Sequence, residues 1–250
     1  MTLQDFFHEN PKAALAFSGG TDSAYLLWAA SQWAQDVKAY YVHSSFQPAF
    51  ELADAKRLAE ELHMPMTVLE ADVLSVPGAA ANGPDRCYHC KTALFTLLKS
   101  AALADGYTLL IDGTNASDDA GDRPGMRALK ELDVRSPLRE CGVTKAEVRQ
   151  RSREAGLFTW DKPAYACLAT RVPTGTVITP EALTAVEGAE NALAALGYRD
   201  FRVRLFHGAA KLELTEHDFM RAAGERETVK AALSPWFKTV LLDCDTRTGG

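Results

Sequence analysis

Short apolar runs and amphipathic stretches alternate along the first part of the chain. The run 13–17 is apolar, a glycine turn follows it, and the next stretch has apolar residues at Leu26, Leu27 and Ala30. Apolar runs bounded by turn residues predict buried strands, and helical spacing of apolar residues predicts amphipathic helices. Further strands are predicted at VKAYYVHSS, PMTVLEAD and YTLLIDGTN, with a short fifth strand at VRSPLRE. Further helices are predicted from Pro48, around RCYHCK and from Thr144. Thr144 and Glu147 match a capping box, which marks the start of the last of these helices.

This alternation predicts a domain organisation. Strands that alternate with helices indicate right-handed β-α-β units and a parallel, doubly wound α/β sheet, which we place at residues 1–157. The proline-rich stretch 158–179 has little periodicity and is predicted to be a linker that carries Cys167. Residues 180–250 predict a smaller α+β domain for substrate binding or oligomerisation, with a helix at 180–197, strands at FRVRLF and AKLELT, a helix at 217–232 and a strand at FKTVLLDCD.

Composition and charge narrow the class of protein. Hydrophobic residues make up 47% and charged residues 24%, which indicates a folded, water-soluble chain. The amino terminus lacks a basic region followed by an apolar run, and no segment approaches the ~18 apolar residues of a membrane span, so we expect a cytoplasmic protein without a membrane partner. A net charge of -6 argues against a large nucleic-acid surface and leaves small anionic substrates open.

The glycine turn after the first predicted strand suits an anion. It consists of Ser18, Gly19, Gly20, Thr21, Asp22 and Ser23. Backbone N–H groups and the helix dipole meet at such a strand-to-helix turn, the hydroxyls can donate to phosphate oxygens, and Asp22 can serve Mg²⁺. The turn lacks the Gly-Lys-Ser/Thr ending of a Walker A loop, and a turn rich in Gly and Ser can also be purely structural. SGGTDS resembles the fingerprint of the PP-loop ATP pyrophosphatase superfamily, which implies ATP binding here.

A second loop follows the fourth predicted strand. DGTN comprises Asp112, Gly113, Thr114 and Asn115. We expect this strand beside the first at a topological switch point, where open α/β sheets bind ligands. Asp112 can equally cap a turn, and the PP-loop resemblance favours a role of Asp112, Thr114 and Asn115 in binding ATP or Mg²⁺.

Cys87 and Cys90 have several interpretations. They lie at helical spacing with Leu94, Leu97, Leu98 and Ala101, so they can simply continue a core-facing stripe. A helix amino terminus also lowers the pKa of a thiol from its usual ~8.5, which favours metal or sulfur chemistry. A structural zinc site takes four ligands and only this pair is obvious, while a redox pair needs a different strand-CxxC-helix setting. Cys141 and Cys244 have no partner at motif spacing, which is typical of packing residues, although Cys244, near the carboxyl terminus, can also be exposed.

Longer blocks are more specific than the loops. The blocks DGTNASDDAGDRPGMRALKELDVRSPLRE, PDRCYHCKTALF and KPAYACLATRVPTGTVIT closely resemble the LarE family of ATP-dependent sulfur transferases, and the likeness extends over nearly the whole chain. It implies adenylation of a carboxylate of pyridinium-3,5-biscarboxylic acid mononucleotide and its conversion to a thiocarboxylate, in nickel-pincer nucleotide biosynthesis. AMP and pyrophosphate are the implied by-products, and sulfide or another sulfur source is the implied co-substrate.

The same resemblance assigns roles to individual residues. Cys167 occupies the sulfur-donor position, and because Cys87 and Cys90 are also present, the resemblance implies that the three thiolates hold a [4Fe-4S] cluster. In the alternative, sacrificial form, Cys167 gives up its own sulfur and becomes dehydroalanine. Arg171, Arg202 and Arg204 are implied to bind the substrate phosphate, together with Glu190 or Glu187 from the preceding acidic helix. From residues alone, Arg202 and Arg204 can also be the solvent face of an edge strand.

Other functions stay open at this point. Some PP-loop proteins use a three-cysteine cluster for tRNA thiolation, which predicts tight, salt-dependent tRNA binding and is disfavoured by the acidic composition. A non-enzymatic assembly or nucleotide-sensing subunit would consume no ATP, and the intact SGGTDS and DGTN segments argue against it. The LarE resemblance further implies a homo-oligomer, with a hexamer as one candidate.

Overall fold

The structure, a computed structural model, describes residues 1–118 and 124–247. Residues 119–123, which belong to one of the blocks quoted above, and residues 248–250 lie outside this description. The helices are α1 (Leu3–Glu9), α2 (Thr21–Trp33), α3 (Ala49–Glu61), α4 (Pro77–Ala80), α5 (Arg86–Ala104), α6 (Pro124–Glu131), α7 (Pro137–Glu140), α8 (Lys145–Glu154), α9 (Pro180–Ala195), α10 (Glu216–Gly224) and α11 (Arg226–Leu233). The strands are β1 (Lys12–Ala16), β2 (Asp36–His43), β3 (Met66–Glu70), β4 (Leu110–Asp112), β5 (Phe201–Phe206), β6 (Ala209–Leu214) and β7 (Val240–Leu242), and 3₁₀ turns cover Val73–Ser75 and Leu168–Arg171.

The chain divides into two compact units. The first comprises residues 1–76 and 85–162, and the second comprises residues 77–84 and 163–250. The short segment 77–84, which precedes the cysteine-bearing helix α5, therefore belongs with the carboxyl-terminal part of the chain. The domain limits given by the sequence, 1–157, 158–179 and 180–250, stay a prediction.

The first unit contains a four-stranded parallel sheet. Its strand order is β3-β2-β1-β4, and every neighbouring pair is parallel. Strand β1 lies between β2 and β4, with Ala16 in register with Asp112, so the loops that follow β1 and β4 start side by side. Leu15 and Ile111 are fully buried in the strands. The predicted α/β fold, with β4 beside β1 at a switch point, is confirmed.

Several predicted elements are wrong in detail. VRSPLRE is not a fifth strand: Arg135 forms only an isolated bridge with Ile111, and the next residues turn into α7. Pro137 explains the change, because it has no N–H to donate to a ladder and suits the first turn of a helix. The predicted helix 217–232 is two helices that meet at Glu225, and α1, which opens with a Thr2–Asp5 capping box, was not predicted. The capping box of Thr144 and Glu147 is confirmed.

The second unit contains a smaller mixed sheet. Strands β5 and β6 are antiparallel, β7 is parallel to β6, and the order is β5-β6-β7. Leu193 of α9, Val203 of β5 and Leu212 of β6 are fully buried and form part of the core of this unit. This is the predicted smaller α+β unit, and its first strand carries Arg202 and Arg204.

Through its hydroxyl, Tyr107 makes the stability of the first unit depend on pH in the alkaline range. Its hydroxyl donates to Asp36 at 2.6 Å, and burial, reinforced by that hydrogen bond, raises its pKa to about 12 from the ordinary value near 10. The unfolded chain loses this proton at lower pH than the folded chain does. We therefore expect the free energy of unfolding to fall as the pH rises from about 10 to about 12. Urea unfolding across this range measures the slope.

The matched control is Tyr107→Phe, which keeps the ring and removes the titrating hydroxyl. Lysines and other tyrosines titrate in both proteins, so only the difference between the two slopes reports on Tyr107. The variant should lose stability less steeply with pH than the natural protein. Parallel slopes would show that Tyr107 makes no such contribution.

Candidate functional site

The glycine loop after β1 is held in shape by its own side chains. Gly19 has φ 72°, in the left-handed region, and Gly20 precedes the first turn of α2. The hydroxyls of Ser18 and Ser23 lie 3.0 Å apart, and Ser23 also donates to the carbonyl oxygen of Gly20 at 3.1 Å. The first N–H groups of a helix have no intrahelical acceptor. The loop therefore has the shape and the donors of an anion-binding turn.

Thr21 has a different contact from its neighbours in the loop. Its hydroxyl donates to the carbonyl oxygen of Thr159 at 2.9 Å, and its side chain is buried. This bond fastens the start of α2 to the segment after α8. In this arrangement the hydroxyl of Thr21 stabilises the loop, and the predicted contact of Thr21 with a nucleotide stays a prediction.

The two predicted loops meet at Asp22. One carboxylate oxygen of Asp22 accepts a hydrogen bond from the side-chain amide of Asn115 at 3.2 Å, and the other accepts from the ammonium of Lys145 at 2.7 Å. The SGGTDS and DGTN segments, which are about 90 residues apart, thus share one carboxylate. Lys145 was not predicted, since it stands at the start of α8 without a local motif.

Asp112 organises the second loop. It is buried, and its oxygens accept from the hydroxyl of Ser136 at 2.6 Å and from the hydroxyl of Thr114 at 2.6 Å. The backbone N–H of Thr114 also donates to it at 3.3 Å. These bonds are those of a turn-capping carboxylate, one of the two roles considered from the sequence. The predicted contact of Asp112 with ATP or Mg²⁺ stays a prediction.

Gly113 marks the close approach of the two loops. A Cβ at this position would lie 2.7 Å from the backbone nitrogen of Ser23 and 2.9 Å from its Cα, closer than real Cβ atoms come. The neighbours are backbone atoms of α2, which cannot rotate away as a flexible side chain can. The DGTN turn therefore needs glycine because its backbone packs directly on the first turn of α2.

Gly113→Ala is expected to destabilise the first unit by about 1–3 kcal/mol, the usual cost of overpacking. It should also weaken the predicted binding of ATP, because the two loops must separate to admit the methyl group. Urea unfolding and equilibrium binding of ATP measure the two effects. Gly224→Ala is the control, since nothing lies within 4 Å of a Cβ there. Equal behaviour of the two variants would contradict the close approach.

A second unpredicted lysine lies at the glycine loop. The ammonium of Lys162 donates to the carboxylate of Asp54 at 2.7 Å and to the carbonyl oxygen of Gly19 at 3.4 Å. Its side chain is only 15% exposed, so its positive charge is largely buried next to the loop. Together with Lys145 it places two ammonium groups next to the segment predicted to bind phosphates.

The second unit contains a buried ion pair between Arg171 and Glu190. Nε of Arg171 donates to Oε1 of Glu190 at 2.7 Å and Nη2 donates to Oε2 at 3.2 Å, with both residues buried. Burial acts to lower the pKa of Arg171, but the hydrogen bonds and negative charge of Glu190 outweigh it and raise that pKa. Oε1 of Glu190 also accepts from the backbone N–H of Val203 at 3.0 Å, and Oε2 accepts from the hydroxyl of Tyr165.

Between the two acidic candidates of α9, the structure brings Glu190 to the arginines. Glu190 contacts Arg171 directly, as described above. Glu187 lies three residues earlier on α9 and is only half-buried. The contact with Arg171 therefore favours Glu190 as the acidic residue of this site.

Arg202 and Arg204 extend the cluster. Arg202 is buried, and its guanidinium donates to the carbonyl oxygens of Phe201 and Ala164, with a carboxylate oxygen of Asp200 3.8 Å away. Burial, together with the charges of Arg171 and Arg247, lowers the pKa of Arg202. Arg204 donates to Glu213 and to the carbonyl oxygen of Thr170. We call Arg171, Arg202 and Arg204 with Glu190 the arginine site.

Cys167 lies next to this site in the same unit. It precedes the 3₁₀ turn Leu168–Arg171, and its carbonyl oxygen accepts from the backbone N–H of Thr170 at 3.0 Å and from the hydroxyl of Thr170 at 2.8 Å. Its side chain is half-buried. The predicted sulfur-donor residue and the predicted phosphate ligands are thus close together in the fold.

The other two predicted cluster ligands lie at the start of α5. Cys87 is exposed and Cys90 is half-buried, with the guanidinium of Arg86 3.7 Å from the sulfur of Cys87. The core-facing interpretation is therefore wrong for Cys87, although Leu98 and Ala102 further along α5 are buried. Within residues 1–118 and 124–247, His, Cys, Asp and Glu side chains form no group of three or more that could hold a metal ion.

The two remaining cysteines differ in their surroundings. Cys141 packs against the core of the first unit, and burial raises its pKa. Cys244 is exposed, so packing does not describe it. Among the helices in the described ranges, none is both long and apolar enough to cross a lipid bilayer.

Comparison with known proteins shows similarity over most of the chain. No protein-family model matches it. An uncharacterized protein of Synechocystis sp. is 37% identical over 252 residues, covering 99% of this chain and 94% of the relative. The pyridinium-3,5-bisthiocarboxylic acid mononucleotide synthase of Lactiplantibacillus plantarum is 33% identical over 217 residues, or 86% of this chain and 79% of the relative. An uncharacterized protein of Methanocaldococcus jannaschii is 27% identical over 238 residues, or 95% and 91%.

Proposed function

Because the chain belongs to the LarE family, that of pyridinium-3,5-bisthiocarboxylic acid mononucleotide synthase, we propose that it is an ATP-dependent sulfur transferase acting on a pyridinium mononucleotide. The substrate would be pyridinium-3,5-biscarboxylic acid mononucleotide, whose carboxylates become thiocarboxylates. The observation that carries this assignment is the placement of Cys167 beside a buried cluster of arginines, next to which an anionic substrate can bind.

Adenylation explains why such a reaction needs ATP. A carboxylate is a poor acyl donor because its leaving group would be an oxide. A carboxylate oxygen that attacks the α-phosphorus of ATP forms an acyl adenylate as the bond to the β-phosphate breaks and pyrophosphate leaves. Sulfide or a thiolate can then attack the acyl carbon, and the carbon–oxygen bond to AMP breaks. Each sulfur transferred would therefore consume one ATP.

The first unit offers suitable groups for the nucleotide. The donors of the glycine loop and the start of α2 suit the phosphates, and the close packing of Gly113 on Ser23 keeps the two loops together. Lys145 and Lys162 supply positive charge beside that loop. The carboxylate of Asp22 would serve Mg²⁺, and Asn115 orients it through the bond at 3.2 Å.

The second unit offers suitable groups for the substrate phosphate. Guanidinium groups form paired hydrogen bonds with phosphate oxygens, and Arg202 is a buried cation whose hydrogen bonds go to the carbonyl oxygens of Phe201 and Ala164, with a carboxylate oxygen of Asp200 3.8 Å away. Glu190 holds Arg171 in place and, through the same network, the start of β5 at Val203. In this scheme Arg202 and Arg204 bind the phosphate, while Arg171 and Glu190 shape the site.

We also propose that three cysteines hold an iron–sulfur cluster, because thiolates are the ligands that such clusters take. Cys87, Cys90 and Cys167 would be its ligands. When bound, a [4Fe-4S] cluster held by three cysteines has one iron without a protein ligand, where external sulfide can attach. Cys87 is exposed, with the guanidinium of Arg86 3.7 Å from its sulfur, so its side chain is accessible for ligation.

Removing the first pair of thiols tests this assignment. Anaerobically purified protein should contain about four iron and four sulfide ions per chain. Cys87→Ala with Cys90→Ala should lose both and fall to no more than one sulfur transferred per polypeptide. Cys141→Ala is the matched control and should keep the metal and the activity.

Two outcomes would contradict parts of this proposal. Iron-free protein that is fully active, with dehydroalanine at Cys167 after one turnover, would replace the cluster by the sacrificial mechanism. Failure to form AMP in the presence of the mononucleotide would overturn sulfur transfer by adenylation altogether. The homo-oligomer and cytoplasmic location stay predictions of the sequence.

A further inference from the structure

The guanidinium groups of the arginine site donate hydrogen bonds to the backbone around Cys167. Nη2 of Arg202 donates to the carbonyl oxygen of Ala164, and Nη1 of Arg171 donates to that of Ala166 at 2.9 Å. Nη1 of Arg204 donates to the carbonyl oxygen of Thr170. All three guanidinium groups thus contact residues 164–170, which we call the Cys167 segment, on both sides of the cysteine.

Tyr165 anchors the same segment by its side chain. Its hydroxyl donates to Oε2 of Glu190, and its ring centroid lies 4.6 Å from the guanidinium carbon of Arg171 and 5.2 Å from that of Arg202. An aromatic face this close to a guanidinium is attracted to the positive charge. The ring therefore contacts two cations of the arginine site.

The charges of the site show which contacts a phosphate could replace. Arg171 is paired with Glu190 and Arg204 with Glu213, whereas the hydrogen bonds of Arg202 go to carbonyl oxygens and a carboxylate oxygen of Asp200 stays 3.8 Å away. A hydrogen bond between a guanidinium and an anion is roughly twice as strong as one to a neutral acceptor. An incoming phosphate would thus compete well with the carbonyl of Ala164 for Arg202.

We propose that the docked Cys167 segment and the substrate phosphate compete for the same guanidinium groups, with Tyr165 as the positioning residue that holds the docked arrangement. This inference rests on the proposed function, which assigns the phosphate to these arginines. Binding of the mononucleotide then releases the segment and frees the thiol of Cys167. Since coupling between two binding events is reciprocal, docking of the segment weakens phosphate binding by the same factor by which bound phosphate weakens docking, so loosening the segment must strengthen phosphate binding.

Tyr165→Phe is the sharpest variant, because it keeps the ring over the arginines and removes only the hydroxyl that donates to Glu190. The loss of one hydrogen bond should raise the alkylation rate of Cys167 about two- to tenfold in ligand-free protein. It should also tighten binding of a phosphate ligand by a similar factor. If Tyr165 had a purely structural role, Tyr165→Phe would destabilise the protein without strengthening the binding of any ligand.

The measurement uses the full chain, purified in air so that Cys167 is not bound to iron, and peptide-level mass spectrometry after brief treatment with N-ethylmaleimide. The probes are nicotinic acid mononucleotide, which carries a pyridinium ring and a phosphate, and its riboside, which lacks the phosphate. The mononucleotide should speed alkylation of Cys167 in the natural protein, and the riboside should not. Cys141, in the core of the first unit, is the internal control and should keep its rate in every sample.

The outcomes separate this inference from the proposed function. Equilibrium dialysis of the same samples reports whether the mononucleotide binds. Binding that leaves the alkylation rate of Cys167 unchanged, or lowers it, overturns the competition and leaves the phosphate site standing. Absence of binding to both the natural protein and Tyr165→Phe overturns the phosphate site and the inference with it. Weaker binding to Tyr165→Phe overturns the positioning role of Tyr165.

Discussion

Replacing Cys167 with alanine is expected to reduce thiocarboxylate formation by at least about a thousandfold, the scale seen when an essential nucleophile is removed. Both versions of the sulfur-transfer mechanism need this thiol, either as a cluster ligand or as the sulfur that is spent. We assign the proposed adenylation to the glycine loop and Asp22 of the first unit, so pyrophosphate release should continue at a substantial rate. Thiocarboxylate detected by mass spectrometry and pyrophosphate from the same reaction measure the two steps separately.

Cys141→Ala is the control for this experiment, because Cys141 packs against the core of the first unit and has no assigned role in the reaction. It should support both steps at nearly the rate of the natural protein. Normal thiocarboxylate formation by Cys167→Ala would exclude Cys167 from the reaction. Loss of pyrophosphate release in the same variant would show that the two steps are not separable as described.

Glu190→Ala is expected to lower the free energy of unfolding by about 3–5 kcal/mol. The variant leaves the guanidinium of Arg171 buried without its carboxylate and removes the acceptor of the Val203 N–H and the Tyr165 hydroxyl. Glu190→Gln should cost less, since the amide oxygen can still accept one of these bonds. Urea unfolding with the slope checked for constancy measures both.

An exposed ion pair, Arg226 with Glu227, is the control for the buried pair of Arg171 and Glu190. Glu227 is 81% exposed and lies 3.5 Å from Arg226, so Glu227→Ala should change stability by less than about 1 kcal/mol. A loss in Glu190→Ala no greater than that of Glu227→Ala would mean that the pair with Arg171 contributes little. It would also remove the reason for giving Glu190 a shaping role at the arginine site.

The local sequence was sufficient where a single segment determines its own conformation. Gly19 and Gly20 between an apolar run and an amphipathic helix predicted the turn after β1, and Thr144 with Glu147 predicted the start of α8. The same reasoning failed at VRSPLRE, where one bridge at Arg135 precedes a proline that ends strand pairing. There, the apolar pattern favours a strand, but Pro137 has no N–H to donate to a neighbouring strand, so the chain turns into α7 instead.

Contacts between distant segments were harder to predict. Lys145, Lys162 and Tyr165 lie at the two candidate sites, yet the sequence predicted a partner for none of them, because each partner stands more than 20 residues away. Lys162 and Tyr165 belong to the quoted block KPAYACLATRVPTGTVIT, which does not reveal their contacts. Family resemblance supplied the roles of Arg202 and Arg204, which alternation alone would equally assign to a solvent-facing edge.

Segment 77–84 is a further example of contacts that the local sequence does not predict. From its small residues it looks like a simple connection to the cysteine-bearing helix. In the structure Asn82 is fully buried, and its amide donates to the carbonyl oxygens of Val172, Pro173 and Thr176 at 3.2, 2.9 and 3.0 Å. Asn82 also has φ 56°, which asparagine tolerates better than most residues. Such a side chain can be recognised as structural only once its partners, some 90 residues later, are known.

The central claim is that each sulfur transferred consumes one adenylated carboxylate. The most direct test is to count AMP and thiocarboxylate in one anaerobic reaction containing the purified protein, ATP, Mg²⁺, sulfide and pyridinium-3,5-biscarboxylic acid mononucleotide. We expect equal amounts of the two products, dependent on the mononucleotide, and more than one of each per polypeptide. Thiocarboxylate formed without AMP, or AMP formed at the same rate without the mononucleotide, would contradict the claim.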